Sequence, residues 1–220
     1  MNFVPKSVFF ILYLACHGLT AQKNNDTLLV KKIDLYAKNS RNPLQGNALV
    51  DFESKLLDDQ NIRLSAHKGK VILLNFWFIG CVPCMGEIPD INKIYKNFQD
   101  SNVIILSLAK NSVSQVNKFN EGKFSHPVEK IEYPVIPDCE KIAELYGVSG
   151  YPTNVLIDKK GIIRLVNSGA SIQSLKNYVT FYGDDKLSKD WKKILKEHAA
   201  EKQKEMHEFL SELILELLQE

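Results

Sequence analysis

The run Asn75-Phe76-Trp77-Phe78-Ile79-Gly80-Cys81-Val82-Pro83-Cys84 carries two cysteines three positions apart. Just upstream, Val71-Ile72-Leu73-Leu74-Asn75-Phe76 is almost continuously apolar, as in a central strand buried on both faces. Just downstream, Ile88, Ile91, Ile94, Tyr95 and Phe98 recur at helical spacing. A strand therefore delivers two thiols to the first turn of a helix. Unpaired backbone N–H groups and the helix dipole favour negative charge there. The thiolate, not the thiol, attacks disulfides, so the stretch predicts a reactive, reversible dithiol. Pro89 falls inside the helical pattern and predicts a kink.

Outward from this centre the pattern alternates between strand and helix. Ala48 to Leu64 holds two short alternating stretches around Asp58-Asp59-Gln60-Asn61, a hairpin signal. Val103 to Ala109 reads as a second buried strand, Ser114 to Glu121 as a helix and Tyr133 to Pro137 as a short extended piece. Asp138 is placed to cap a helix over Cys139 to Tyr146, closed by Gly147. Asn154 to Ile157 and Ile162 to Val166 flank the turn Asp158-Lys159-Lys160-Gly161, and Ser171 to Phe181 is a further helix. This order predicts an α/β protein with a mixed sheet. From Asp184 to Glu220 the chain is dense in Lys and Glu and has no Gly or Pro, which predicts one amphipathic helix. Met206, Leu210, Leu213 and Leu217 form its apolar seam. That seam suits packing on its own domain or a coiled-coil-like dimer contact over 206–218.

The two ends differ from the middle. Lys6 followed by Val8 to Ala15 and then Leu19-Thr20-Ala21-Gln22 reads as a signal peptide over 1–21. Cys16 offers the alternative of a lipid anchor. Residues 22–45 form a polar lead-in. Export implies a compartment, periplasm or cell envelope, where disulfides persist. Of four cysteines, removal of Cys16 leaves Cys81, Cys84 and Cys139, a redox couple plus a spare thiol rather than a stapled scaffold. The balance of 28 Lys and Arg against 26 Asp and Glu argues against a nucleic-acid binder. A content of 45% hydrophobic and 25% charged residues is that of a globular protein.

Taken together, NFWFIGCVPCMGEIP (Asn75 to Pro89), GVSGYPT (Gly147 to Thr153) and VLIDKKGIIR (Val155 to Arg164) resemble the thioredoxin superfamily. More narrowly they are similar to the exported TlpA/ResA-like thiol–disulfide oxidoreductases. The resemblance implies a thioredoxin fold over 46–183, a mixed central sheet flanked by helices. The N-terminal β-hairpin and the long C-terminal helix over 184–220 extend it. It implies a Cys81–Cys84 disulfide in which Cys81 attacks and Cys84, one turn further in, resolves. Val82 and Pro83 tune the couple and border the substrate. Pro152 is implied to be a cis-proline facing the dithiol, with Tyr151 and Thr153 beside the substrate groove. Trp77 is expected to pack beside the dithiol and shield it. Glu87, three residues after Cys84, is implied to be a buried acid that handles a proton. Classical thioredoxin has a buried aspartate where this chain has Asn75, which makes Glu87 the better candidate. Its alternative is a solvated helix glutamate.

No cofactor or metal is called for. Clients are expected to be disulfide-bearing envelope proteins, with an upstream thiol donor and the chain acting as reductant. One alternative is a thiol peroxidase, but residues 74–81, LNFWFIGC, lack the Pro and Thr/Ser of a peroxidatic setting. The other is a binding or assembly module working through the C-terminal helix. Cys139 reads as a buried apolar residue or as a modifiable thiol at a helix start.

Overall fold

In the computed structural model, strand β3 (Val71–Trp77) is buried along its whole length. Strand β4 (Val103–Ala109) pairs with it in parallel on one side. Strand β6 (Thr153–Ile157) pairs with it antiparallel on the other. Strands β5 (Val135–Ile136) and β7 (Ile163–Ser168) complete a mixed sheet of order β5-β4-β3-β6-β7. The structure describes residues 42–123, 129–169, 172–182, 188–197 and 206–220. The expected signal peptide and most of the lead-in lie outside these residues. β1 (Glu53–Lys55) and β2 (Asn61–Arg63) form the expected hairpin.

Successive side chains of a strand point to opposite faces. On one face of the sheet, Ile72, Leu74, Phe76, Leu106, Leu108, Val155 and Ile157 join one apolar cluster. Phe52 and Leu64 from the hairpin region add to it, as do Ile142, Ala143 and Tyr146. The Tyr146 hydroxyl, carried into this cluster, donates to the Val50 carbonyl at 2.8 Å. The opposite face carries helix α1 (Val82–Phe98). Helix α4 (Ile172–Tyr182) packs against α1, and helix α6 (Met206–Gln219) against α1 and β3. The remaining helices are α2 (Val113–Asn120), α3 (Glu140–Leu145) and α5 (Lys189–Glu197).

α1 continues through Pro89 as one element. α4 approaches it at Gly86, where a Cβ would overlap the Ser174 carbonyl oxygen. Asn177 of α4 ties the same turn by donating to the Gly86 carbonyl at 3.1 Å.

Asp138 does not cap α3. It takes a left-handed φ of 50°, which Asp tolerates better than most residues, while Cys139 holds the N-cap position without a side-chain cap bond. The turn instead points two amides back at β4 and its loop. Asp138 N–H donates to Asn111 O and Cys139 N–H to Ala109 O, both at 3.1 Å.

The stretch expected as one C-terminal helix contains α5 and α6; residues 198–205 between them lie outside the described residues. Phe209, Leu210, Leu213, Ile214 and Leu217 of α6 are buried. Its far end is fastened to the β6–β7 hairpin. Lys159 Nζ donates to the Leu218 carbonyl at 2.8 Å, and Arg164 Nη1 lies 3.0 Å from both Asp158 and Glu220 carboxylates. A basic group near the last carbonyls also complements the helix dipole. The buried residues of α6 pack it on the chain's own domain, one of the two uses expected of the seam.

Candidate active site

The strand-to-helix turn is built by its local sequence. Gly80 adopts φ 95°, open to glycine at no steric cost, and reverses the chain after β3. Asn111 accepts the Ile79 N–H at 2.7 Å and anchors the turn to the end of β4. Cys81 is then the N-cap of α1, its Sγ accepting the Cys84 N–H at 3.3 Å. Pro83 follows within the first turn, where its missing N–H is no loss. Cys81 and Cys84 are joined by a disulfide. Cys81 is 7% exposed and Cys84 2%, so the outer sulfur is that of Cys81.

A second loop converges on the same end of the sheet. Phe76, at the end of β3, is register partner to Thr153, at the start of β6. The Tyr151–Pro152 peptide bond just before it is cis. The Phe78 and Tyr151 rings meet edge to face at 5.3 Å, joining the loop ahead of Cys81 to the loop of Pro152.

Behind the dithiol lies a polar row within the apolar sheet. Ser107, Asn75, Asn154 and Asn167 are successive register partners on β4, β3, β6 and β7. Asn75 Nδ2 donates to Asn154 Oδ1 at 2.9 Å. Both amides also donate to Glu87 Oε2, Asn154 at 3.1 Å and Asn75 at 3.4 Å. Glu87 is 1% exposed. Burial pushes its carboxyl up to about 8, aided by the charge of Asp90 and opposed by the two asparagine bonds. Desolvation outweighs the bonds because a carboxylate loses more hydration than two amide donors restore. An acid with that affinity exchanges its proton near neutral pH.

A family model described as AhpC/TSA matches residues 45–166. The chain belongs to this family of thioredoxin-like proteins. The thiol–disulfide oxidoreductase ResA of Geobacillus thermodenitrificans is 30% identical over 167 residues, 76% of this chain and 87% of that protein. The thioredoxin-like protein YneN of Bacillus subtilis is 31% identical over 137 residues, 61% of this chain and 77% of the relative. Among solved structures, a Chlorobium tepidum protein described as the thiol:disulfide interchange protein DsbE shares the fold. Its TM-score is 0.51 at 24% identity, over 61% of this chain and 97% of that one. The chain is a thioredoxin-like thiol–disulfide oxidoreductase.

Within this family frame, Trp77, expected to shield the dithiol, and Thr153, expected beside the substrate groove, are both buried. Trp77 is 1% exposed; its Nε1–H donates to Ser107 Oγ at 2.6 Å and its ring packs on Phe119 at 5.3 Å. Thr153 is fully buried, its Oγ1 bonded to the Gly150 carbonyl at 2.8 Å and to Ser168 Oγ at 2.6 Å. Both faces of β3 and β6 are covered, so a residue at the end of either strand is buried whichever face it takes. Val82 and Tyr151 stay partly exposed, and Pro83 is buried. The reading of the sequence missed Phe78, Asn154 and Asp90. An asparagine, a residue depleted in strands, inside Thr153-Asn154-Val155-Leu156-Ile157 is the signal that marks Asn154.

Cys139 is fully buried, and desolvation with the neighbouring Glu140 pushes its thiol up to about 12. Native oxidised protein is therefore expected to give no reaction with a thiol reagent at pH 8, and one equivalent per chain after unfolding once the expected signal segment with Cys16 is removed. Labelling of the native state, mapped by peptide mass spectrometry to Cys139, would reject this placement. Among the described residues no group of three or more His, Cys, Asp or Glu is arranged to hold a metal ion, and no helix is long and apolar enough to cross a membrane.

Proposed function

We propose that the chain is an exported reductant of disulfides in other envelope proteins. In the reduced form, the Cys81 thiolate attacks one sulfur of the client disulfide and the other leaves as a thiolate. Cys84 then attacks Cys81 Sγ and releases the second client sulfur. Two electrons pass to the client, and the Cys81–Cys84 disulfide remains for an upstream thiol donor to reduce. Cys84 must lose a proton in the second step. Glu87 lies three residues further along the same helix face, and its ionised form takes it. Pro152 and Tyr151 border the site where an extended client segment docks, with Val82 and Pro83 on the other side.

The observation that carries this reading is Glu87, three residues after Cys84 on α1 and buried against Asn75 and Asn154. An acid so placed opposes thiolate formation, and a dithiol without thiolate stabilisation is the reducing kind. Export rests on the N-terminal segment read over residues 1–21.

Trapping tests the roles. Reduced Cys84→Ser protein should accumulate a mixed disulfide through Cys81, identifiable by mass spectrometry, while Cys81→Ser forms none. Insulin reduction that survives Cys81→Ser would sink the proposal. Peroxide consumption by the reduced chain, with no disulfide substrate present, would favour the thiol peroxidase instead.

A further inference from the structure

Helix α1 carries a second acid that the chemistry above does not use. Cys81, Cys84, Glu87 and Asp90 recur every three residues, so Asp90 follows Glu87 along the same side of the helix. Asp90 is 1% exposed. Among the described residues, groups from α1, α4 and α6 face it. From α1 itself come Glu87 and Lys93, whose Nζ is 3.5 Å away on a half-exposed side chain. From α4, Asn177 Nδ2 donates to Asp90 Oδ2 at 3.2 Å. From α6, His207 Nδ1 stands 3.3 Å from Asp90 Oδ1, on a side chain 18% exposed. Glu208, next along α6, is exposed. The His207–Asp90 approach is an ion pair only when the imidazole carries its second proton.

We infer that His207 and Asp90 are positioning residues through which the C-terminal helix governs the charge state of Glu87. The negative charge of Asp90 holds the proton on Glu87. A cation at position 207, 3.3 Å from Asp90, opposes that field. The consequence for turnover rests on Glu87 serving as the proton acceptor; the electrostatic link does not.

The test follows the Glu87 carboxyl by carbon NMR in oxidised full-length protein, with Glu87→Gln assigning the signal. Asp90→Asn should lower the Glu87 midpoint by about one unit. His207→Lys, a fixed cation, should lower it by about half a unit, while uncharged His207→Gln should not lower it. A midpoint unmoved by both Asp90→Asn and His207→Lys overturns the inference. So does His207→Gln lowering it as far as Lys does, which would indicate packing rather than charge. The pH–rate profile separates the two claims. If Glu87→Gln leaves the profile unchanged while Asp90→Asn moves the Glu87 midpoint, the proton-acceptor role fails and the link stands.

Discussion

Gly86→Ala should destabilise the protein by about 3 kcal/mol, the upper end of what an added methyl costs in a closed contact. Alanine is favoured over glycine inside a helix by about 1 kcal/mol. On an open helix face the substitution would therefore stabilise. Here the new Cβ falls on the Ser174 carbonyl, a backbone atom that no rotamer change can move away. Steric overlap with α4 must win, and either α4 lifts or α1 shifts. Both movements break the Asn177 bond to the Gly86 carbonyl. Because Gly86 lies between Cys84 and Glu87, activity should fall with stability. Urea denaturation checks the result. A variant within about 0.5 kcal/mol of the parent would mean the two helices do not meet this closely.

Glu87→Gln should do the opposite to stability and a similar thing to rate. The folded chain binds the Glu87 proton more tightly than the unfolded chain does, with the carboxyl moved from 4.5 to about 8. Above pH 4.5 the unfolded state releases the proton while the folded state keeps it, so stability falls as pH rises until the folded group ionises near pH 8. Each pH unit in that window costs about 1.4 kcal/mol, together on the order of 4 kcal/mol. Glutamine has no proton to lose and keeps a carbonyl for Asn75 and Asn154. The variant should therefore be more stable than the parent at pH 8 and similar to it at pH 4.5. Turnover should slow by about 100-fold, the usual scale for removing a general acid–base group. Equal stability of the two proteins at pH 8 would show that Glu87 is ionised at little cost, as a solvated glutamate is.

Much of this site is legible in sequence because its chemistry is local. Cys81, Pro83, Cys84 and Glu87 sit within one helical turn or two of each other, and helical spacing alone puts them on one side. Strands β3 and β4 declare themselves by unbroken apolar runs, as the centre of a mixed sheet must. What sequence conceals is non-local. Nothing in spacing tells that Asn154 crosses to Asn75, 79 positions away, since register is set by which face each strand buries in the finished fold. Trp77 and Thr153 illustrate the same limit: next to the dithiol and the cis-proline in sequence, they are buried because the layers that cover both faces of the sheet are distant in sequence. Asp138 shows a third kind of miss. Its residue type suits an N-cap, yet it takes the left-handed turn that brings the Cys139 amide to β4. The seam of α6 is plain at helical period, but which surface it covers depends on the site it meets.

The fastening of α6 at both ends has a kinetic meaning. Its first turns meet α1 at Asp90 and its last turns meet the β6–β7 hairpin through Lys159 and Arg164. A segment held only at one end opens on its own and exchanges its amide hydrogens quickly. A segment clamped at both ends opens with the body it is clamped to. The terminal helix thus belongs to the same cooperative unit as the dithiol helix, and its amides should exchange no faster than those around Ile91 and Ile94.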